Sequence, residues 1–357
     1  MSSNVSPSEA SKKNSLLSID FMRSICCILV ITIHVTAAFW YVFEPGSLQF
    51  KTIIQINTLS KFAVPAFIFI SGFVLFYVYS SRELRLIEFY KKRMFRVIIP
   101  YIIWSIIYIL ANYIAVGQPV NLKSLAYYFV LGKANYHLYY ISLILQFYLV
   151  FPLLLKLYQR FSNPIIPVGL LTILNFTFIS FVKINFSDRI FIFYLMFFIL
   201  GFLLADFKKK EIKISLYFLT LITLIYSMVA TYYSLDTYKA LINADLISRY
   251  LYKHSWWYFS IISILFLYSF SSYAEKKFPV LVNNSIISSI GKHSFTIYLC
   301  HPLVMKALHF LPPYKNMLKT NPSILIILEF IIVLSFSWLL SWLLSQLNIR
   351  LKPVKNS

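Results

Sequence analysis

Arg23 and His34 stand eleven residues apart in the otherwise apolar run from Phe21 to Phe43, FMRSICCILVITIHVTAAFWYVF. A run of this length crosses a bilayer, whose ~30 Å hydrocarbon core takes about 20 apolar residues. At about 1.5 Å per residue, His34 lies roughly 16 Å deeper than Arg23, near the middle of that core. An ionisable side chain at such depth is costly and reads as functional by default. A neutral imidazole donates from one nitrogen and takes a proton at the other, which makes it a group able to act as acid or base. The competing reading is a histidine that only hydrogen-bonds a neighbouring helix. For Arg23 it is snorkelling to the interface, paired with Asp20 three residues earlier.

A second charged group lies in SSRELRLIEFYKKRMFRVIIP, which holds Arg82, Arg85, Lys91, Lys92, Arg93 and Arg96. Three residues apart, Arg93 and Arg96 share a face of any helix they occupy. Two guanidinium groups backed by Lys91 and Lys92 suit phosphate, because arginine grips it with two parallel donors. On charge alone the group serves equally as a stop-transfer cluster. His301, next to Pro302, either caps carbonyls that the proline frees or belongs to a polar pocket. His137, at the outer start of an apolar segment, reads as an interfacial histidine. Glu329 is an acid inside an apolar segment, with no partner identifiable from sequence. Asp188 and Arg189 read as solvated loop positions. Cys26, Cys27 and Cys300 lie within apolar segments without metal or disulfide spacing and read as core residues, so no metal site is expected.

These residues must be held by membrane helices. A hydrophobic fraction of 59%, a mean hydropathy of +0.74 and 13% charged residues describe no soluble domain. Ten apolar segments are readable, near 21–43, 53–80, 94–116, 138–158, 164–182, 189–206, 213–234, 255–273, 287–308 and 323–347. No polar stretch between them is large enough for a separate domain, and no internal repeat stands out. The expected fold is an all-α integral membrane protein with about ten transmembrane helices and both termini cytoplasmic. Its parts are a polar cytoplasmic tail at 1–18, a membrane domain at 19–349 and a short basic cytoplasmic tail at 350–357. No small-residue cleavage site follows the first segment, which reads as a retained anchor. With ten crossings, 21 of the 33 Lys and Arg fall on the cytoplasmic side, although the outer loops at 117–137 and 235–254 are among the longest. That asymmetry is what the positive-inside rule requires. The net charge of +21 thus reports topology and contact with anionic lipid. Scattered over several loops, it argues against nucleic acid as a partner.

Ordered sequence blocks add a resemblance. SIDFMRSICCILVITIHV, with Arg23 and His34, resembles the first helix of the acyltransferase-3 family of integral-membrane O-acyltransferases. Val64-Pro65-Ala66-Phe67-Ile68-Phe69-Ile70-Ser71-Gly72-Phe73 is similar to the family's second-helix signature, and Arg93-Met-Phe-Arg96 to its paired-arginine motif. His137-Leu-Tyr-Tyr followed by Gln146-Phe-Tyr-Leu-Val-Phe-Pro152 resembles the fourth-helix block. Phe197-Phe-Ile-Leu-Gly201 and Gly291-Lys-His-Ser-Phe-Thr-Ile-Tyr-Leu-Cys-His301-Pro302 are similar to the later blocks. Tyr139 stands where the family usually carries Trp, so no role is carried over to it.

The resemblance implies transfer of an acyl group, expected to be acetyl, from cytoplasmic acyl-CoA to a hydroxyl of a cell-surface glycan or related envelope acceptor. His34 and Arg23 would be catalytic. Arg93, Arg96 and Lys92 would hold the phosphates of acyl-CoA, with acetyl-CoA the expected donor, while His137 and His301 would serve the substrate side. No esterase-like extension follows the last segment, so the membrane domain is expected to do the whole task in the bacterial cytoplasmic membrane. Polysaccharide synthesis or export proteins are the expected protein partners. Two rivals come from other classes: a transporter exporting a polysaccharide or small anion without covalent chemistry, and a scaffold for a polysaccharide synthase.

Overall fold

The computed structural model describes residues 16–117, 121–243 and 246–350. Most of the two predicted cytoplasmic tails, 1–18 and 350–357, lies outside these described residues. The helices are α1 Leu17–Ala38, α2 Leu48–Ser60, α3 Ala63–Tyr79, α4 Leu86–Val116, α5 Leu122–Val130, α6 Tyr139–Gln159 and α7 Ile165–Phe181. They continue with α8 Leu195–Lys209, α9 Leu216–Asn243, α10 Leu246–Lys277, α11 Pro279–Val282, α12 Ser285–Phe310, α13 Pro312–Thr320 and α14 Pro322–Arg350. No strand occurs among the described residues. Eight helical stretches are long and apolar enough to cross a membrane: α1, α2 with α3, α4, α6, α8, α9, α10 and α14. The other two of the ten predicted segments are helical as well, as the 17-residue α7 and the 26-residue α12. The chain is an all-α polytopic membrane protein.

Three segments depart from the sequence reading. The predicted single segment 53–80 is two helices, because in one continuous helix the Pro65 ring would clash with the Lys61 carbonyl; α3 instead starts with Pro65 in its first turn. The basic group from Lys91 to Arg96 is not a loop but part of α4. At 31 residues, α4 is about 46 Å long, so its basic turns extend past the hydrocarbon core. The predicted outer loop at 235–254 is largely helical, since α9 reaches Asn243 and α10 starts at Leu246. Polar side chains join the two there: Ser255 donates to the Asp236 carboxylate at 2.6 Å.

The described residues form two compact units, one within Met1–Ala63 and Ile214–Ser357, the other within Val64–Lys213. In the first unit, α1 packs against α12, α2, α10 and α14, and α12 packs in turn on α14. Asn284 caps α12, its side-chain oxygen accepting from the amides of Ile286 and Ile287 at 3.0 and 3.3 Å. Close approach of α1 and α12 depends on Gly291, where a Cβ would stand 2.5 Å from Ser24 Oγ and 2.7 Å from the Asp20 carbonyl. Ser24 donates to the Ile287 carbonyl at 2.7 Å, which fixes the register of the pair.

In the second unit the core is aromatic, with Phe147 of α6 stacked on Phe198 of α8 at 4.4 Å between ring centroids. Arg189 is not the solvated loop residue that its charge suggested. Its side chain is 15% exposed, donates to the Leu131 carbonyl, and lies over the Tyr139 ring at 5.9 Å. A guanidinium satisfies a loop carbonyl and an aromatic face at once, which draws it out of solvent. Asp188, 54% exposed, remains the surface residue expected of it.

Candidate active site

The register set by Ser24 and Gly291 carries ten residues further along both helices. There His34 of α1 meets His301 of α12, with ring centroids 5.2 Å apart and planes inclined by 26°. His301 is fully buried, whereas His34 is half-buried. His301 Nδ1 lies 3.1 Å from the Ile297 carbonyl, which can only accept, so Nδ1 carries the proton. In the neutral ring Nε2 is therefore the basic nitrogen. Tyr298, also on α12, lies with its ring centroid 6.0 Å from that of His301. Two neutral imidazoles side by side can each give one proton and take another, which suits general acid and base work.

Asn57 of α2 is a further member of this site that sequence reasoning missed. It is 1% exposed and donates to the Ile33 carbonyl at 2.8 Å and to Thr36 Oγ1 at 2.9 Å. The Ile33 carbonyl belongs to the residue before His34, so Asn57 fixes the backbone that presents the imidazole. An amide inside an apolar segment was the available signal. Beside it, Thr32 and Thr36 of α1, Thr52 and Ile53 of α2 and Ile326 of α14 line an open groove of about 500 Å³ within the first unit.

Arg23 is ion-paired to Asp20, the partner that its spacing suggested, and its side chain is 26% exposed. Arg93, Arg96 and Lys92 lie on α4 in the second unit. Lys92 and Arg96 are exposed, while Arg93 turns inward, its guanidinium 5.9 Å from the Tyr148 ring centroid. Arg93 Nε is buried and meets no hydrogen-bond partner among the described residues. His137, also in the second unit, is 1% exposed, with its ring set edge-on to Tyr108 at 5.2 Å. It packs inside the unit rather than facing out of it. Glu329, partnerless in sequence, accepts from His309 Nε2 and from the Tyr314 hydroxyl, each at 2.8 Å.

Comparison with known proteins agrees with this picture. The acyltransferase-3 family, described as an acyltransferase domain, matches residues 16–345. Relatives from Staphylococcus aureus strains MSSA476 and MW2 are 24% identical over 336 residues, covering 90% of this chain and 91% of theirs. A relative from strain MRSA252 is 23% identical over the same length. All three carry the name probable poly-beta-1,6-N-acetyl-D-glucosamine export protein. No solved structure matches the chain. With a family match over nearly its whole length, spanning both units and both histidines, the chain belongs to the acyltransferase-3 family and is a membrane acyltransferase.

Proposed function

We propose that the chain is an O-acyltransferase of the bacterial cytoplasmic membrane that moves an acetyl group from cytoplasmic acetyl-CoA to a hydroxyl of a cell-surface glycan. The observation that carries this reading is the stacked His34–His301 pair inside an acyltransferase membrane domain. In the reaction, His34 takes the proton of the acceptor hydroxyl as that oxygen attacks the thioester carbonyl. The carbon–sulfur bond breaks, the CoA thiolate leaves, and the proton held on the imidazole returns to sulfur. No net proton is produced, so a base that cycles between its two forms suffices. Arg93, Arg96 and Lys92 serve the donor's phosphates. The buried Nε of Arg93, without a partner among the described residues, supports this because an unmet donor on a guanidinium favours an anion. Arg23, held by Asp20, orders the start of α1.

The relatives' name favours a second reading, export of a β-1,6-linked N-acetylglucosamine polymer without covalent chemistry. The two readings differ in whether CoA binds. Titration of CoA into detergent-purified protein, followed by calorimetry, compares the wild type with the Arg93→Gln, Arg96→Gln double variant. Hydrogen bonds to charged groups contribute about 1.5–3 kcal/mol each, so the double change is expected to weaken CoA binding at least about tenfold. Equal affinities would remove the phosphate role of Arg93 and Arg96. Absence of CoA binding in either protein would favour export.

A further inference from the structure

At the other end of α12 from its cap, a second polar cluster is built into the first unit. Glu329 of α14 is 0% exposed, in a helix long and apolar enough to cross a membrane. A lone carboxylate there would be costly. Its two oxygens are met from two elements, by His309 Nε2 in the last turn of α12 and by the Tyr314 hydroxyl of α13. The His309 and Tyr314 rings lie 4.6 Å apart between centroids. The carboxylate fixes the proton on Nε2 and the plane of the ring, as carboxylates do for the histidines they orient. Nδ1 is then the accepting nitrogen, and among the described residues nothing bonds to it. The His309 side chain is 36% exposed, so the ring is not sealed off from a ligand.

A clasp that served stability alone does not need a part-exposed imidazole, because an apolar trio fills such a place at least as well. We propose that His309, oriented by Glu329, is a binding residue for a hydroxyl of an oligosaccharide acceptor. It contacts a sugar other than the one being acylated. This rests on the glycan-acceptor reading. His301 and His309 are eight residues apart on one helix, about 12 Å along its axis. One sugar ring does not span that distance. The subsite therefore distinguishes chains from monosaccharides, which a structural clasp does not do.

The test uses the full-length protein in detergent, with acetyl-CoA as donor. Acceptors are chitopentaose and cellopentaose, each compared with the methyl glycoside of its monosaccharide. His309→Phe keeps a ring and removes the nitrogens, so the KM for the pentasaccharide is expected to rise about three- to tenfold, one neutral hydrogen bond. The KM for the monosaccharide and kcat for both stay unchanged. Glu329→Gln shifts the same KM in the same direction by a smaller factor. If His309→Phe does not fold, His309→Gln, which still reaches Glu329, takes its place. Equal changes for both acceptor lengths, or no change, overturn the subsite. If the wild type consumes no acetyl-CoA with any acceptor, the acyltransferase reading fails on its own. Direct titration of the pentasaccharides then decides the subsite: weaker binding to the variant supports it, while equal binding or none overturns it.

Discussion

Arg189 ties its own segment to two others of the second unit, donating to the Leu131 carbonyl while its own carbonyl accepts from Gln146 Nε2 at 2.7 Å. A charged hydrogen bond and a cation–π contact together contribute about 2–4 kcal/mol. Arg189→Met is therefore expected to lower the thermal midpoint by several degrees in detergent, whereas Lys183→Met, at an exposed position, leaves it in place. Equal midpoints for the two variants would return Arg189 to the solvated role its charge suggested. The same contrast explains what could be read from single residues. His34 was legible because an imidazole in an apolar run is conspicuous by itself. Glu329 was visible in the same way, but its meaning depends on His309 and Tyr314, 20 and 15 residues away across a turn. Asn57 acts through a carbonyl 24 residues earlier, and Ser24 through one 263 residues later. Pattern reading sees a residue and its near neighbours. It does not see which helix arrives beside it.

Among the elements, α1 and α12 set the geometry of the site and also constrain topology. Ser24 touches Ile287, and ten or more residues further along both helices His34 touches His301. Contacts that advance together mean that the two helices run in the same direction. Between them an odd number of crossings is then required. The hydropathy-qualified stretches between them are α2 with α3, α4, α6, α8, α9 and α10, an even number. Counting α7 as a crossing makes the number odd, and we infer ten crossings in all. Cysteine labelling on a cysteine-free background checks this. Glu44→Cys and Lys319→Cys are expected to label from the same side of the membrane, and Asn283→Cys from the opposite side. Glu44 and Lys319 labelling from opposite sides would break the parallel arrangement. Segment positions were legible because each helix has its own apolar run. The break before Pro65 and the helical extension of α9 and α10 were not, since the first rests on proline sterics and the second accompanies packing of the two helices on each other.

For the molecule as a whole, two compact units carry different chemistry. The first holds the histidine pair and the Glu329 cluster, and the second holds the basic turns of α4. The family assignment covers both and makes the chain a membrane acyltransferase, while acceptor and donor belong to the proposal. In the proposed reaction His34 is the base of the acyl transfer. The most direct measurement is thioester consumption by purified protein given acetyl-CoA and glycan acceptors, wild type against His34→Ala, with folding followed by thermal melting. Expected are acceptor-dependent consumption by the wild type and a loss of about 10²–10⁴-fold in the variant at an unchanged melting midpoint. A wild type that consumes no thioester, or a folded His34→Ala protein that keeps more than about half of the turnover, would contradict this role of His34.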